Sequence, residues 1–278
     1  MRPNIRLALC LLLPLVAAAQ TPTPPVAAPP IAVPPAASAP VATPALRPPA
    51  PTDVPSDSNE RARPGNYKAC RDRVAAANAS GKHIDLLFVG DSITEAWNPP
   101  DWGGYRHGGA VWDKYYANRS ALNFGVGADR TQNVLYRLDT MDVQALTPKV
   151  IVLMIGTNNT QDPASQIATG VHAVLAKLET MYPMAKIILV SILPNARATQ
   201  LMADANALIQ PFADGKTVFY LDLVPLFPPV GDSWAGLSPD KLHPTEAGYQ
   251  VWADAMEPLL TRLLPATPTL QPAAAATP

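Results

Sequence analysis

The sequence predicts an α/β fold in which a five-stranded parallel sheet is covered by helices on both faces. Three observations carry this reading. Five short runs rich in branched aliphatic residues alternate with longer amphipathic stretches, a pattern that requires parallel strands joined by helical crossovers. Proline, 33 residues in all, is concentrated towards the two ends of the 278-residue chain. The block between these ends, residues 65–265, is long enough to bury one sizeable core.

In chain order, Arg2 and Arg6 precede an apolar stretch over residues 7–19, with Ala17 and Ala19 at the −3 and −1 positions of a cut before Gln20. Residues 1–19 thus read as a secretory signal peptide, and the expected location is secreted, periplasmic or cell-envelope. The stretch is too short to span a bilayer and contains Pro14, so no stable membrane insertion is expected after cleavage. Cys10 would leave with it, and Cys70 alone could form no internal disulfide. Residues 20–64 are almost entirely Pro, Ala, Thr, Val and Ser, a composition that favours extended polyproline II and cannot pack a core. They read as a stiff tether, either a plain spacer or one that binds a cell wall. Residues 266–278 share the Ala/Pro bias and read as a disordered tail.

Strands are expected at residues 84–89, 120–124, 150–155, 186–192 and 218–223, and helices at 131–138, 164–181, 197–213 and 246–264. With 21 basic residues against 22 acidic ones, there is no global field to concentrate polyanions, so no nucleic-acid partner is expected. Ligands of such sheets bind outside the carboxyl ends of the strands. The residues there are Gly90-Asp91-Ser92-Ile93-Thr94, Gly125-Val126-Gly127-Ala128-Asp129 and Gly156-Thr157-Asn158-Asn159. They bring a serine at a strand-to-helix turn, a glycine-rich turn and an asparagine to one crevice.

A serine nucleophile needs a base, and the chain has four histidines. His83 precedes the first strand, His172 lies within a helix, and His107 sits in a Gly-rich loop. His243 belongs to Asp240-Lys241-Leu242-His243-Pro244. Pro244 keeps His243 out of the helical region, so the Asp240 carboxylate can hold Nδ1 while Nε2 faces Ser92. Rival chemistries lack their residues. Arg130 occupies the third glycine position of a dinucleotide fingerprint, no phosphate-binding Gly-x-x-x-x-Gly-Lys occurs, and no zinc-like spacing is present. No cofactor and no metal are therefore expected.

The ordered motifs Gly90-Asp91-Ser92-Ile93-Thr94-Glu95-Ala96-Trp97, the 123–135 stretch, Met154-Ile155-Gly156-Thr157-Asn158-Asn159 and Asp240-x-x-His243 resemble the SGNH (GDSL-type) hydrolases, and within them the platelet-activating-factor acetylhydrolase-like branch. The resemblance spans about residues 65–264. It implies a flavodoxin-like three-layer α/β/α fold and a cofactor-free ester hydrolase. Ser92 would be the nucleophile, His243 the general base and acid, and Asp240 its orienter. The oxyanion hole would comprise the Ser92 N–H, the Ala128 N–H and the Asn158 side-chain amide. Ala128 replaces the family's usual glycine; it serves freely at negative φ but is strained at positive φ. The position of Ser92 at a helix N-terminus would further favour developing negative charge.

The substrate is less legible. Trp97, Trp102, Tyr105, Trp112, Tyr115 and Tyr116 cluster beside the nucleophile, where they can stack on sugars, line an acyl pocket or pack a loop. Asp91, Trp97 and Trp102 are candidate substrate contacts. The expected activity is removal of short acyl groups, acetyl foremost, from an acylated small molecule or glycan. The alternatives are a lipid acyl hydrolase or thioesterase, and an inactive tethered glycan-binding module. The sequence implies no particular oligomeric state.

Overall fold

The computed structural model describes residues 51–97 and 107–265. The expected signal peptide, most of the expected tether and the tail lie outside the described residues, as do Trp102 and Tyr105.

Five strands form one parallel sheet: β1 (Leu86–Gly90), β2 (Ala121–Gly125), β3 (Val150–Met154), β4 (Lys186–Val190) and β5 (Val218–Leu221). Their order is β2-β1-β3-β4-β5, the flavodoxin-like arrangement with its switch point beside β1. Strand side chains alternate between faces, and both faces are dry. Leu87, Val89, Phe124, Ile151 and Leu153 point into one core, where they meet α2 (Pro64–Ala79), α5 (Thr131–Thr140), α6 (Ala164–Met181) and α7 (Thr199–Ile209). Leu86, Phe88, Val150, Val152 and Ile188 point into the other. There they meet α4 (Gly109–Tyr115) and α8 (Glu246–Leu263). The three-layer expectation is met, with each strand within two residues of its predicted ends. Among the described residues no helix is long and apolar enough to cross a membrane.

The boundary expected at residue 64 falls inside the packed body, which corrects the tether's extent. Helix α1 (Ser58–Ala62) buries Asn59, and Thr52 is only 2% exposed. The Thr52 hydroxyl donates to Gln166 O at 2.6 Å, and Thr52 O accepts from the Thr131 hydroxyl at 2.8 Å. Ser56 N–H donates to Gln132 O at 3.0 Å. Proline density ends the core reading at these positions, but polar side chains of residues 52–59 supply the backbone partners that hold the segment down.

One buried ion pair joins the sheet to this segment. Arg137 and Asp129 both have fully buried side chains, with Nε 2.6 Å from Oδ2. Arg137 also donates to Phe124 O at 2.7 Å and to Gly90 O at 3.1 Å, and so ties the carboxyl ends of β2 and β1. The other Asp129 oxygen accepts from Tyr67 Oη at 2.7 Å and from Asn59 Nδ2 at 2.6 Å. Burial opposes the charge on Arg137, but Asp129, Cys70 and Tyr67 more than offset it and keep the guanidinium ionised. Removing one member should strand the other's charge. Arg137→Met is expected to lose about 3–5 kcal/mol of stability in urea unfolding. A loss below about 1 kcal/mol would show that the surrounding donors alone suffice for Asp129.

Candidate active site

The turn after β1 is forced tight. A side chain at Gly90 would place its Cβ 2.1 Å from the Thr94 hydroxyl and 2.3 Å from Met154 O. Only glycine lets the chain reverse there into α3 (Ser92–Glu95). Asp91 caps this helix, accepting from Ile93 N–H at 2.9 Å. Because α3 is a single turn, its dipole is small, and the expected helix-dipole contribution at Ser92 is correspondingly weak.

The other partner comes from the turn before α8. Ser238 N–H donates to His243 O at 2.8 Å, and Lys241 N–H donates to Ser238 O at 2.8 Å, closing the turn on itself. Buried Leu242 anchors it to the core. The resulting chain of contacts is continuous: Ser92 Oγ lies 2.8 Å from His243 Nε2, and His243 Nδ1 lies 2.6 Å from Asp240 Oδ2. The remaining Asp240 oxygen accepts from the N–H groups of Leu242 and His243, each at 3.0 Å. Partial burial would raise the Asp240 carboxyl, but its bonds to the His243 ring and these two N–H groups outweigh that and bring it down to about 2. Asp240 is therefore an anion across the working pH range, fixed against Nδ1.

The glycine-rich turn after β2 faces Ser92. A Cβ on Gly127 would lie 3.8 Å from Ser92 Cβ. Four of the turn's N–H groups are occupied: Gly125 donates to Asn123 Oδ1 at 2.8 Å, Val126 to Gly90 O at 3.2 Å, Gly127 to Glu95 Oε2 at 2.7 Å, and Asp129 to Val126 O at 3.3 Å. The Ala128 N–H meets no acceptor among the described residues. Its φ is +64°, so the strain foreseen for alanine is present, at about 1–2 kcal/mol. Asn158, on the loop after β3, donates one amide hydrogen to Asp129 O at 2.9 Å and keeps a second. A cluster of this kind can activate a hydroxyl through an imidazole and hold a developing oxyanion.

Two expected substrate contacts are corrected. Asp91 is completely buried and serves as a cap. Trp97 is also completely buried, with ring centroids 4.5 Å from Tyr249 and 5.1 Å from Trp252. Trp112 and Tyr116 join the same core, where these rings pack α4 and α8 onto the sheet. Trp102 lies outside the described residues. His83 pairs with Asp85 at the opposite sheet edge, and His172 packs on Phe212.

Glu95 is the site residue that sequence reasoning passed over. It is 1% exposed and fixes the Gly127 end of the turn. Burial raises its carboxyl to about 7, opposed only in part by Arg73, the Gly127 N–H and Arg137. Its place inside the Gly-Asp-Ser-x-x-Glu run was the available signal, hidden because an acid in a first helical turn is usually a solvated cap.

Solved structures of like fold include a carbohydrate esterase family 3 protein from Talaromyces cellulolyticus. It has TM-score 0.51 and 20% identity, with 66% of this chain and 99% of that one covered. A member of the lipolytic G-D-S-L family from Veillonella parvula gives 0.51 and 18%, covering 64% and 99%. The likeness is one of fold, a three-layer α/β/α architecture. Residues 88–251 match the GDSL-like lipase/acylhydrolase family, and the chain belongs to it. The human platelet-activating factor acetylhydrolase IB subunit alpha2 is 35% identical over 126 residues, 45% of this chain and 51% of that subunit. This chain thus spans about half the length of that relative. The rat alpha1 subunit is 27% identical over 220 residues, covering 77% and 90%.

Two outcomes test the turn. Glu95 has a folded-state value above its ordinary 4.5, so between about pH 4.5 and pH 7 the folded protein binds more protons than the unfolded chain. Its contribution to stability is largest below that window and is lost as pH rises through it. Glu95→Gln should flatten the decline by at most about 3 kcal/mol in denaturant titrations across the window. Identical slopes would contradict a proton on Glu95. In Ala128→Gly, relief of the positive-φ strain opposes a gain in unfolded-chain entropy of about 0.4–1 kcal/mol. Stability should move by less than about 1 kcal/mol and turnover by less than about tenfold, because the N–H is retained. A larger fall in turnover in the folded variant would mean that the alanine methyl itself shapes the site.

Proposed function

We propose that the protein is an exported serine esterase that removes short acyl groups, acetyl foremost, from carbohydrate. The continuous contact from Ser92 through His243 to Asp240, facing a turn whose Ala128 N–H is unoccupied, carries this reading. His243 takes the Ser92 proton as Oγ attacks the ester carbonyl, and Asp240 stabilises the imidazolium that forms. The carbonyl oxygen becomes an oxyanion that receives the Ser92 N–H, the Ala128 N–H and the free amide hydrogen of Asn158. His243 then returns the proton to the departing alcohol, leaving an acyl-serine. Water, deprotonated by His243, attacks the acyl carbon and releases the acid and Ser92.

The close approach of Gly127, where a Cβ would lie 3.8 Å from Ser92 Cβ, favours a small acyl group. The apolar cavity of about 350 Å³ lined by Ile192, Met202, Phe227 and Trp234 does not include Ser92 or His243. Carbohydrate as the alcohol portion rests on the expected export signal and Pro-rich segment in the sequence, because Trp97, Trp112 and Tyr116 of the aromatic cluster lie in the core. The names of the sequence relatives favour a second reading, an acetylhydrolase of a lipid ester. Rates across esters of increasing acyl length, and across acetylated glycans and acetylated lipids, separate the two.

Ser92→Ala should lower ester hydrolysis by several orders of magnitude while thermal unfolding stays near wild type. Asn158→Ala should lower turnover about 10²- to 10³-fold. Near wild-type hydrolysis by folded Ser92→Ala would remove Ser92 as the nucleophile, whereas no hydrolysis by the parent together with no labelling of Ser92 by a fluorophosphonate would leave a glycan-binding module as the better account.

A further inference from the structure

We infer that Arg130 and Arg197 form an anion-reading pair at the rim of the site, so that the preferred ester carries a carboxylate or phosphate close to the scissile bond. The inference rests on the esterase reading and names its substrate class more narrowly.

The two guanidiniums reach Asn158 from different loops. Arg130, at the start of α5, donates Nε to the Asn158 main-chain oxygen at 3.1 Å. Arg197, on the loop after β4, donates Nη1 to Asn158 Oδ1 at 3.3 Å. That loop is built in place: Asn195, 1% exposed, accepts from the N–H groups of Arg197 and Ala198 at 3.1 and 3.3 Å. Ala196 N–H also donates to Lys241 O at 3.1 Å, which fastens the loop to the turn carrying His243. Arg197 therefore stands between Asn158 and the histidine turn, facing solvent.

Of the two, only Arg197 has no carboxylate partner among the described residues, and Arg130 has a long one. Arg61, Arg71, Arg119 and Arg137 each contact a carboxylate within hydrogen-bond distance. Arg197 pairs with none among the described residues. Arg130 Nη2 is 4.0 Å from Asp162 Oδ2, an oxygen already bonded by Asn159 Nδ2 at 2.8 Å, and the Arg130 side chain is 27% exposed. Holding an asparagine in place requires only a neutral donor. Two guanidiniums add positive charge and spare N–H groups in the planar geometry that receives carboxylate or phosphate oxygens. In a chain of net charge −1, the unpaired charge of Arg197 and the loosely paired one of Arg130 lie beside the proposed oxyanion hole.

The test uses the full chain and three aryl acetates: the methyl ester of meta-acetoxybenzoate as the neutral probe, meta-acetoxybenzoate, and meta-acetoxyphenyl phosphate. At low salt, at least one anionic ester should exceed the neutral one in kcat/KM by about fivefold, the scale of one rim ion pair, chiefly through KM. Which anion gains more separates a carboxylate-bearing from a phosphate-bearing substrate. Raised salt should shrink the ratio. Arg130→Gln and Arg197→Gln should each lower it, the double variant should bring it near one, and Arg197→Lys should retain part. A wild-type ratio near one, or a ratio unchanged in the double variant, overturns the pair while leaving the esterase intact. Loss of all three activities would instead strike the esterase reading. In that event, equal affinity of Ser92→Ala protein for the neutral and anionic probes by calorimetry would overturn the anion site as well.

Discussion

The Asp129–Arg137 pair is the constraint on which the rest of this structure depends. An arginine at the sheet's carboxyl edge, wholly out of water, has to find acceptors for every N–H it carries. Its acceptors include the last carbonyl of β1, the penultimate carbonyl of β2 and the Asp129 carboxylate. The strands therefore end in register, and the chain leaving β2 has to return at Asp129. Tyr67 and Asn59 complete the carboxylate's shell, which draws α2 and the segment before it onto the same edge. An apolar pair of similar volume would avoid the desolvation cost, but it would not specify where the turn stops.

The chemistry inherits that rigidity. Between Gly125 and Asp129 the backbone has no room to relax, since a Cβ at Gly125 would come within 2.3 Å of Glu95 N. Glu95 secures Gly127 from beneath, and the left-handed conformation at Ala128 follows from closing the turn over so few residues. Its open N–H is thus a product of its neighbours' saturation. A donor held in advance needs no reorganisation when negative charge appears, and the alanine strain is the local cost of holding it there.

The sheet was legible because its strands are short, β-branched and buried on both faces, so pattern and burial agree. Ser92, His243 and Asp240 were legible for a different reason: a local sequence motif, including Pro244, already restricts the backbone that carries them. Helix α2 was not. Its apolar contacts are Tyr67, Cys70 and Val74, too sparse among Ala, Asn and Arg to show a periodic stripe. Nor was the partnership of Asp129 with Arg137, Tyr67 and Asn59, because hydrogen bonds across 62 or 70 positions leave no local trace. Trp97 misled for the opposite reason: aromatic density beside a nucleophile resembles a binding surface, whereas Trp97 and Tyr116 fill the space between Phe88 and α8.

The seating of residues 52–59 puts the first described residues beside the sheet edge that carries Ser92. Thr52, Ser56 and Asn59 are bonded to the β2 loop and the helices beside it, at the edge where Ser92 stands. At the far end of α8, Leu264 and Pro265 lie beside Asp85, Ser120 and Lys149, at the strands' amino ends. The two connections to the sheet thus leave from opposite poles. A surface or polymer joined next to Thr52 would meet the face carrying Ser92 at close range, whereas one joined next to Pro265 would leave that face turned outward.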